Sequence, residues 1–475
     1  MPSRASGNDA ARTAAGPDVP ARNGDISFWM APFADTPAGP ALDGDLEADV
    51  AIVGAGYTGL WTAYYLAERD PSLRIVVLEQ HRVGYGASGR NGGWLTNSIT
   101  GGHDGYAAKY GVEAVRGFQN ELNATVDEVL AVCAREGIDA EAVKGGSLLV
   151  ARNEAQRRRI ATYVAHAEKW PEEGVVELSA AESRARVNVA DTRGGLWQPL
   201  CARIHPAKLA VGLADAVRRR GVTVYEGTRV TEIAVGQART ERGTVRARHV
   251  LRATEGFTTR LPGAKRDWLP LNSSMIITEP LSDAMWADIG WQGFETLEDL
   301  SHVYAYAQRT PDGRIAIGGR GTPYRWASGF DTDGLTDRAT WSSLTALVRE
   351  WFPVIADVPI AHTWSGVLGV PRNWRATVQY DAVTGLGAAG GYVGTGVTAT
   401  NLAGRTLADL VTGADTPITR LPWVGQRTRK WEPEPLRWLA TRVIYGAYRD
   451  ADRAEVRGLT RTSRVARIAD VISGR

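Results

Sequence analysis

The segment Ala48-Asp-Val-Ala-Ile-Val-Gly-Ala-Gly-Tyr-Thr-Gly59 limits the fold of this chain more than any other. Ala48–Val53 is a short apolar run of the buried-strand type. Three glycines follow as Gly54-x-Gly56-x-x-Gly59, and a helix is expected from Thr58 to Arg69. Arg74–Leu78 then reads as a second strand, ending at Glu79. In such a βαβ unit Gly54 permits a tight turn. Gly56 lets backbone approach a pyrophosphate, and Gly59 lets helix and strand pack closely. The helix N-terminus, with Tyr57 and Thr58, offers N–H groups and a positive dipole end to phosphate. Glu79, 20 residues beyond Gly59, is placed to accept hydrogen bonds from a ribose diol, with Gln80 beside it. Its charge disfavours a 2′-phosphate. No lysine follows Gly59, which excludes a P-loop. Gly86-Ala-Ser-Gly-Arg90 lacks the last glycine of a nucleophile elbow.

Two further glycine clusters extend this reading. Gly84, Gly86, Gly89, Gly92 and Gly93 are interleaved with Ala87, Ser88, Arg90 and Asn91. A cofactor with a ribityl chain and phosphates needs such backbone N–H groups and small polar side chains at close range. Gly390, Gly391, Gly394 and Gly396 lead directly into an expected helix, 397–412. That second helix N-terminus, Thr395 to Thr398 with Val397 between, suits the negative charge that a reduced flavin carries at its N1–C2 edge. One cofactor gripped near residue 54 and again near residue 396 requires a nucleotide domain that is discontinuous in sequence.

The expected fold is therefore α/β (α+β overall), with a Rossmann-type FAD-binding domain and an interleaved antiparallel-sheet substrate domain. Strand patterns at Ser274–Thr278, His302–Gln308 and Arg314–Gly318, with a helix at about 339–351, supply that second sheet. The expected boundaries are a disordered tail over 1–24, FAD-binding segments 25–105, 200–260 and 361–413, and substrate segments 106–199 and 261–360. Residues 414–475 form a helical extension.

Composition excludes several classes. Lys plus Arg is 55 and Asp plus Glu 53, a net charge of +2, so no nucleic acid partner is expected for the whole chain. Cys133 and Cys201 are too few for a disulfide framework or a Cys-rich metal site. They fit a reducing, cytoplasmic setting. The seven histidines (81, 103, 166, 205, 249, 302, 362) show no metal spacing such as H-E-x-x-H, and no metal is expected. No run is long and apolar enough for a membrane span. Residues 426–475 hold 12 basic and 6 acidic residues. Leu436, Leu439, Ile444 and Tyr445 there suggest an amphipathic helix, packed on its own protein or laid on an anionic membrane.

Together the Asp49–Gly59, Gly86–Gly93, Ile204–Lys208 and Gly391–Gly396 segments resemble the flavin oxidoreductase family that contains D-amino acid oxidase, glycine oxidase and sarcosine oxidase. Trp431-Glu-Pro-Glu-Pro-Leu-Arg-Trp438 and the Trp29 segment look most like its γ-glutamylputrescine oxidoreductase branch. The resemblance implies FAD, oxidation of a C–N bond by hydride transfer to flavin N5, and an imine that then hydrolyses. It implies that Val230, Ala253, Thr254 and Gly256 contact the cofactor. Departures carry information. Trp364 stands where sarcosine-oxidase-like members bond flavin to cysteine, and Gly92, Gly93 and Trp94 stand where others use histidine. FAD is thus expected to be held non-covalently. Leu368 and Thr398 replace two family anchors for an α-carboxylate, which favours an amine lacking an α-carboxylate or one anchored differently. Arg320 falls where relatives place a substrate-facing histidine and suits an acidic group. Ala316 replaces a lysine tied to oxygen reactivity, so the electron acceptor is oxygen or another molecule. The substrate-site candidates are Arg320, Tyr304 and Trp364, with Trp94 and Tyr324 as further aromatic walls and His205 and His302 as the best-placed histidines. The expected activity is FAD-dependent oxidation of a small-molecule amine or amino acid. The alternatives are a non-catalytic FAD-binding assembly protein using the basic C-terminal helix and, less favoured, an NAD-dependent dehydrogenase.

Overall fold

A computed structural model describes residues 19–321 and 323–473. The first sheet has eight strands. Its parallel centre runs Thr223–Tyr225, Ile75–Leu78, Leu46–Val53, Thr244–Arg252, Leu386–Gly390. Val50 to Val53 are buried on both faces, as a parallel sheet covered by helices on both sides requires. The register sets Val53 beside Leu78 and Arg252, and Arg252 beside Ala388. The carboxyl ends of four strands therefore share one edge. The loops that leave them are 54–56, 79–93, 253–254 and 391–395, three of which carry the glycine clusters singled out in the sequence. Ligands of open α/β sheets bind at that edge.

The helix Tyr57–Arg69 follows the first strand, with buried residues almost all round. It packs on this sheet beside the helix Gly396–Thr412, which lies on strands of the same sheet. A Cβ on Gly404 would come within 2.6 Å of the Trp61 Cβ, so a glycine there sets the helix separation. Pro71 follows the C-cap Asp70 and cannot donate the next helical bond.

The second sheet has nine strands, in the order Arg22–Asn23, Ile360–Pro371, Trp268–Thr278, Ile315–Gly319, Tyr306–Arg309, Thr296–Asp299, Ser147–Ala151, Gly194–Gln198, Val176–Leu178. Its pairings are antiparallel except at Arg22–Asn23 against His362–Thr363 and Thr296–Asp299 against Ser147–Val150. It is mixed rather than purely antiparallel. The helix Arg338–Trp351 covers it with Trp341, Leu344, Val348 and Trp351. Burial of each large apolar side chain contributes about 1.5–3 kcal/mol. Asp337 caps that helix by accepting from the Thr340 N–H at 2.9 Å.

Several expectations need correction. The tail does not extend to residue 24, because Arg22–Asn23 is a strand and the His362 ring bonds the Gly24 carbonyl at 2.8 Å. Residues 1–18 lie outside the described residues. Residues 361–371, assigned to the nucleotide segments, lie in the strand Ile360–Pro371, which pairs along Trp268–Thr278 in the second sheet. The helix Val112–Glu136, assigned to the substrate segments, buries Val126, Val129 and Val132 against the nucleotide helices instead. The strand expected from His302 starts at Tyr306. The His302 and Val303 N–H groups donate to Asp452, and Ala305 N–H to Asp299, so none is free for a ladder. The C-terminal helix Leu436–Val456 packs through Tyr445, Tyr448, Ala451 and Glu455. Leu436 and Leu439, read as part of its apolar face, are exposed. No helix among the described residues is long and apolar enough to cross a membrane.

Candidate active site

Two cavities meet above the carboxyl edge of the first sheet. The first is lined by residues of all four loops, among them Gly54, Gly56, Glu79, Ser88, Thr254 and Gly396. Gly54 has φ +109°, and a Cβ there would lie 2.6 Å from the Ala253 carbonyl oxygen. On Gly59 a Cβ would lie 2.0 Å from the Gly54 carbonyl oxygen. These contacts draw strand, loop and helix together and leave a side-chain-free cradle. Ser88 Oγ accepts from the Tyr57 N–H at 2.8 Å, which ties the second glycine cluster to the helix start. Glu79 accepts from the Ala55 and His81 N–H groups, each at 2.9 Å. Burial pushes its carboxyl above the usual range, against the lowering pull of those donors. A cradle of backbone N–H groups, two helix N-termini and one cavity-lining carboxyl fits a dinucleotide.

Glu255 was missed in the sequence. It bridges the third cluster to the second sheet by accepting from Gly369 N–H (3.0 Å) and Gly391 N–H (2.9 Å). Burial pushes its carboxyl up to about 7. Its neighbours Thr254 and Gly256 were singled out. Glu255 itself shows no signal before the fold brings Gly369 and Gly391 to it.

The second cavity lies between the sheets. It shares with the first a wall of Ala87, Asn91, Val367, Leu368, Gly394 and Val397. Trp94, Tyr304, Tyr306 and Arg320 line it further out. The Arg320 guanidinium is buried and donates through Nη2 to the Val393 carbonyl at 3.1 Å. Its Nη1 is buried with no hydrogen-bond partner, Tyr445, Tyr304 and Tyr306 are the guanidinium's remaining polar neighbours, and no acid among the described residues pairs with it. A buried cation left open in this way is costly unless a ligand completes it. Glu298 also lines this cavity, and burial, with Asp299 beside it, pushes its carboxyl up to about 8.

Tyr306, also missed, is wedged between two glycines. A Cβ on Gly92 would sit 2.8 Å from its ring, and one on Gly318 would sit 2.4 Å from it. Its hydroxyl meets Ser273 Oγ at 2.9 Å. The signal was Gly318, which pairs directly with Tyr306 across the ladder. A glycine opposite an aromatic residue leaves room for the ring to lie over it.

Of the expected cofactor residues, Gly54, Gly56, Tyr57, Thr58, Glu79, Gln80, Gly86, Ala87, Ser88, Asn91, Val230, Ala253, Thr254, Gly394, Gly396 and Val397 line the first cavity. Arg90, Gly92 and Thr395 line only the second. Arg90 donates to the carbonyls of Tyr85, Ser365 and Thr332, so it clasps backbone. Gly59, Gly93, Gly256 and Thr398 line neither. Gly93 and Gly256 are sites of close packing against Gln308 and Val367. Thr398 Oγ1 is buried without a partner.

Among the expected substrate residues, Arg320, Tyr304 and Trp94 line the second cavity. Trp364 does not. Its N–H donates to the Arg90 carbonyl at 2.9 Å, and its ring packs on Phe28 and Trp29. Tyr324 is turned to the C-terminal segment, where its hydroxyl bonds Glu434. His205 caps the helix Pro206–Arg219 by accepting from Lys208 N–H, and burial holds its ring down to about 4. His302 joins Glu455 at 3.1 Å and serves the C-terminal helix.

Comparison with known proteins agrees with this geometry. A family model described as DAO, FAD dependent oxidoreductase, matches residues 49–410. The γ-glutamylputrescine oxidoreductase of Escherichia coli K12 is 32% identical over 406 residues, which cover 82% of this chain and 90% of that protein. A probable oxidoreductase, OrdL, of Rhizobium meliloti 1021 is 30% identical over 402 residues, 83% of this chain and 90% of its own. The crystal structure of glycine oxidase from Geobacillus kaustophilus superposes with a TM-score of 0.65 at 22% identity, covering 81% of this chain and 100% of that one.

Proposed function

This chain belongs to the DAO family of FAD-dependent oxidoreductases, and from that premise we propose that it oxidises the C–N bond of a small amine that also carries an acidic group. FAD, bound in the first cavity without a covalent link, supplies the hydride acceptor. The chain supplies placement. Glu79 would hold the ribose, the helix starts at 57 and 396 would hold the negatively charged parts, and the residues of the shared wall would hold the flavin ring. Trp94, Tyr304 and Tyr306 hold the amine's carbon skeleton and exclude water. Exclusion of water favours the neutral amine, the form able to give up hydride. Arg320 holds the acid. Leu368 stands on the shared wall in place of one family carboxylate anchor, so the anchoring role passes to a guanidinium on another strand end.

The carrying observation is the buried, uncompleted Nη1 of Arg320 in a cavity that abuts the nucleotide cradle. We assign the reaction to the cytoplasm, where two buried, unpaired cysteines persist, and leave oxygen and other acceptors as two arms of the test. Anaerobic addition of amines to the purified yellow protein should bleach the flavin, amines bearing a carboxylate at far lower concentration than their decarboxylated counterparts. Reoxidation by air or only by an added dye then separates the acceptors. A flavin that no amine reduces would refute the assignment in favour of a non-catalytic role.

A further inference from the structure

The outer end of the second cavity carries a cluster that the oxidation chemistry does not use. His103 opens the helix His103–Tyr110, and His166 lies in the last turn of the helix Glu154–Lys169. Glu173 ends the short 3-10 turn that follows. All three line the cavity. His103 Nδ1 and His166 Nε2 are 3.2 Å apart. Glu173 oxygens lie 3.7 Å from His103 Nδ1 and 3.6 Å from His166 Nε2.

The tautomer of His103 follows from its neighbours. Asn123 Nδ2 donates to the Glu172 carbonyl (2.7 Å), so Asn123 Oδ1 is an acceptor. Gln119 Nε2 donates to that oxygen (2.9 Å) and to the Asn97 carbonyl (2.8 Å). Gln119 Oε1 therefore faces His103 Nε2 at 2.9 Å and must accept its proton. Nδ1 is therefore the unprotonated nitrogen; it lies 3.2 Å from His166 Nε2, close enough to accept that ring's proton, and it faces Glu173. Support of an imidazole N–H from behind is how metal-binding histidines are oriented.

We propose that His103, His166 and Glu173 bind one divalent metal ion of the zinc class, with an open coordination position turned to the cavity. Spacing selects the ligand. Metal–nitrogen and metal–oxygen bonds of about 2.0–2.2 Å in a tetrahedral site separate the ligand atoms by about 3.4 Å. An ammonium group held by hydrogen bonds of about 2.8 Å would spread its acceptors to about 4.6 Å. The His103 Nδ1–His166 Nε2 separation of 3.2 Å matches the metal, and Glu173 turns a different oxygen to each ring, Oε1 at 3.7 Å from His103 and Oε2 at 3.6 Å from His166. Two imidazole nitrogens favour zinc over magnesium or calcium. Three protein ligands leave the fourth position for water or a donor atom of the substrate. No lysine or arginine among the described residues pairs with Glu173, so no fixed cation occupies the place. The second histidine–carboxylate cluster, His302, Asp452 and Glu455, is different, because Arg159 already pairs with Glu455 at 2.6 Å.

The test is metal content of the intact flavoprotein after dialysis against zinc chloride and then metal-free buffer, read by elemental analysis. One zinc per chain is expected. His166→Ala and Glu173→Gln should each lower zinc affinity at least tenfold, while the flavin spectrum and melting temperature show that both variants are folded. His302→Ala should take up zinc as the wild type does. A wild type that retains less than about a tenth of an equivalent overturns the proposal, as does equal retention in both cluster variants. The readout does not involve amine oxidation, so failure here leaves the proposed function standing, and the reverse.

Discussion

The two cavities share a wall but are built from different chemistry. The first is made of backbone: glycines, N–H groups and two helix starts, supplied by loops that leave adjacent strand ends. The second is made of side chains that strands of the other sheet and distant helices bring together. Backbone geometry tolerates change in side-chain chemistry but not the addition of a Cβ. A side-chain cavity tolerates neither loss of charge nor loss of shape, yet its loss leaves the neighbouring cradle intact. The two should therefore fail independently.

Gly59→Val gives the largest effect. Its Cβ falls within 2.0 Å of the Gly54 carbonyl, which is backbone and cannot give way. The expected loss is at least about 3 kcal/mol of stability, with no FAD retained after gel filtration. A yellow, cooperatively melting Gly59→Val protein would refute the close-packing account of the first cavity. Arg320→Met comes next and should separate the two cavities. FAD content stays at the wild-type level, while KM for an acidic amine rises about 100-fold, or about 2–3 kcal/mol. A decarboxylated amine should lose little. Equal loss on both substrates would remove Arg320 as the anchor.

The same contrast explains what was legible in the sequence. The strand–glycine–helix unit with Glu79 announces itself because its parts are local and their spacing is set by a turn and a helix start. The parallel sheet follows from it. Tyr306 and Glu255 did not announce themselves, because their partners, Gly318, Gly369 and Gly391, come from other strands. Trp364 misled because a register borrowed from relatives says which strand a residue is on, not which way its ring packs. The edge strand at Arg22–Asn23 has two residues and no pattern to read. His103 and His166 stand 63 residues apart on two helices, so a search for local histidine spacing could not pair them.

Glu298→Gln gives a smaller effect that depends on pH. The folded carboxyl is pushed up to about 8, above its ordinary value of 4.5. Between those values the folded chain holds a proton that the unfolded chain has released. Stability from this group is therefore full below about pH 4.5 and is lost as pH rises toward about 8. Glutamine has no such loss. The melting temperature of Glu298→Gln relative to wild type should climb across that window and stay level below it. A difference independent of pH would mean that Glu298 is paired in a way the cavity does not show.

The smallest effect on turnover belongs to Trp364→Phe, and it sharpens the border of the second cavity. The indole N–H bonds the Arg90 carbonyl, while its ring is packed away from the cavity among Phe28 and Trp29. Phenylalanine keeps an aromatic ring there and leaves a buried carbonyl without one donor, at a cost of about 1–2 kcal/mol. Thermal melting should register that loss. Steady-state kcat and KM should stay within about twofold of wild type, since no substrate atom reaches the site of change. A KM shift matching that of Arg320→Met would put the ring in the cavity after all, and would show that the second sheet turns its strand Ile360–Pro371 the other way.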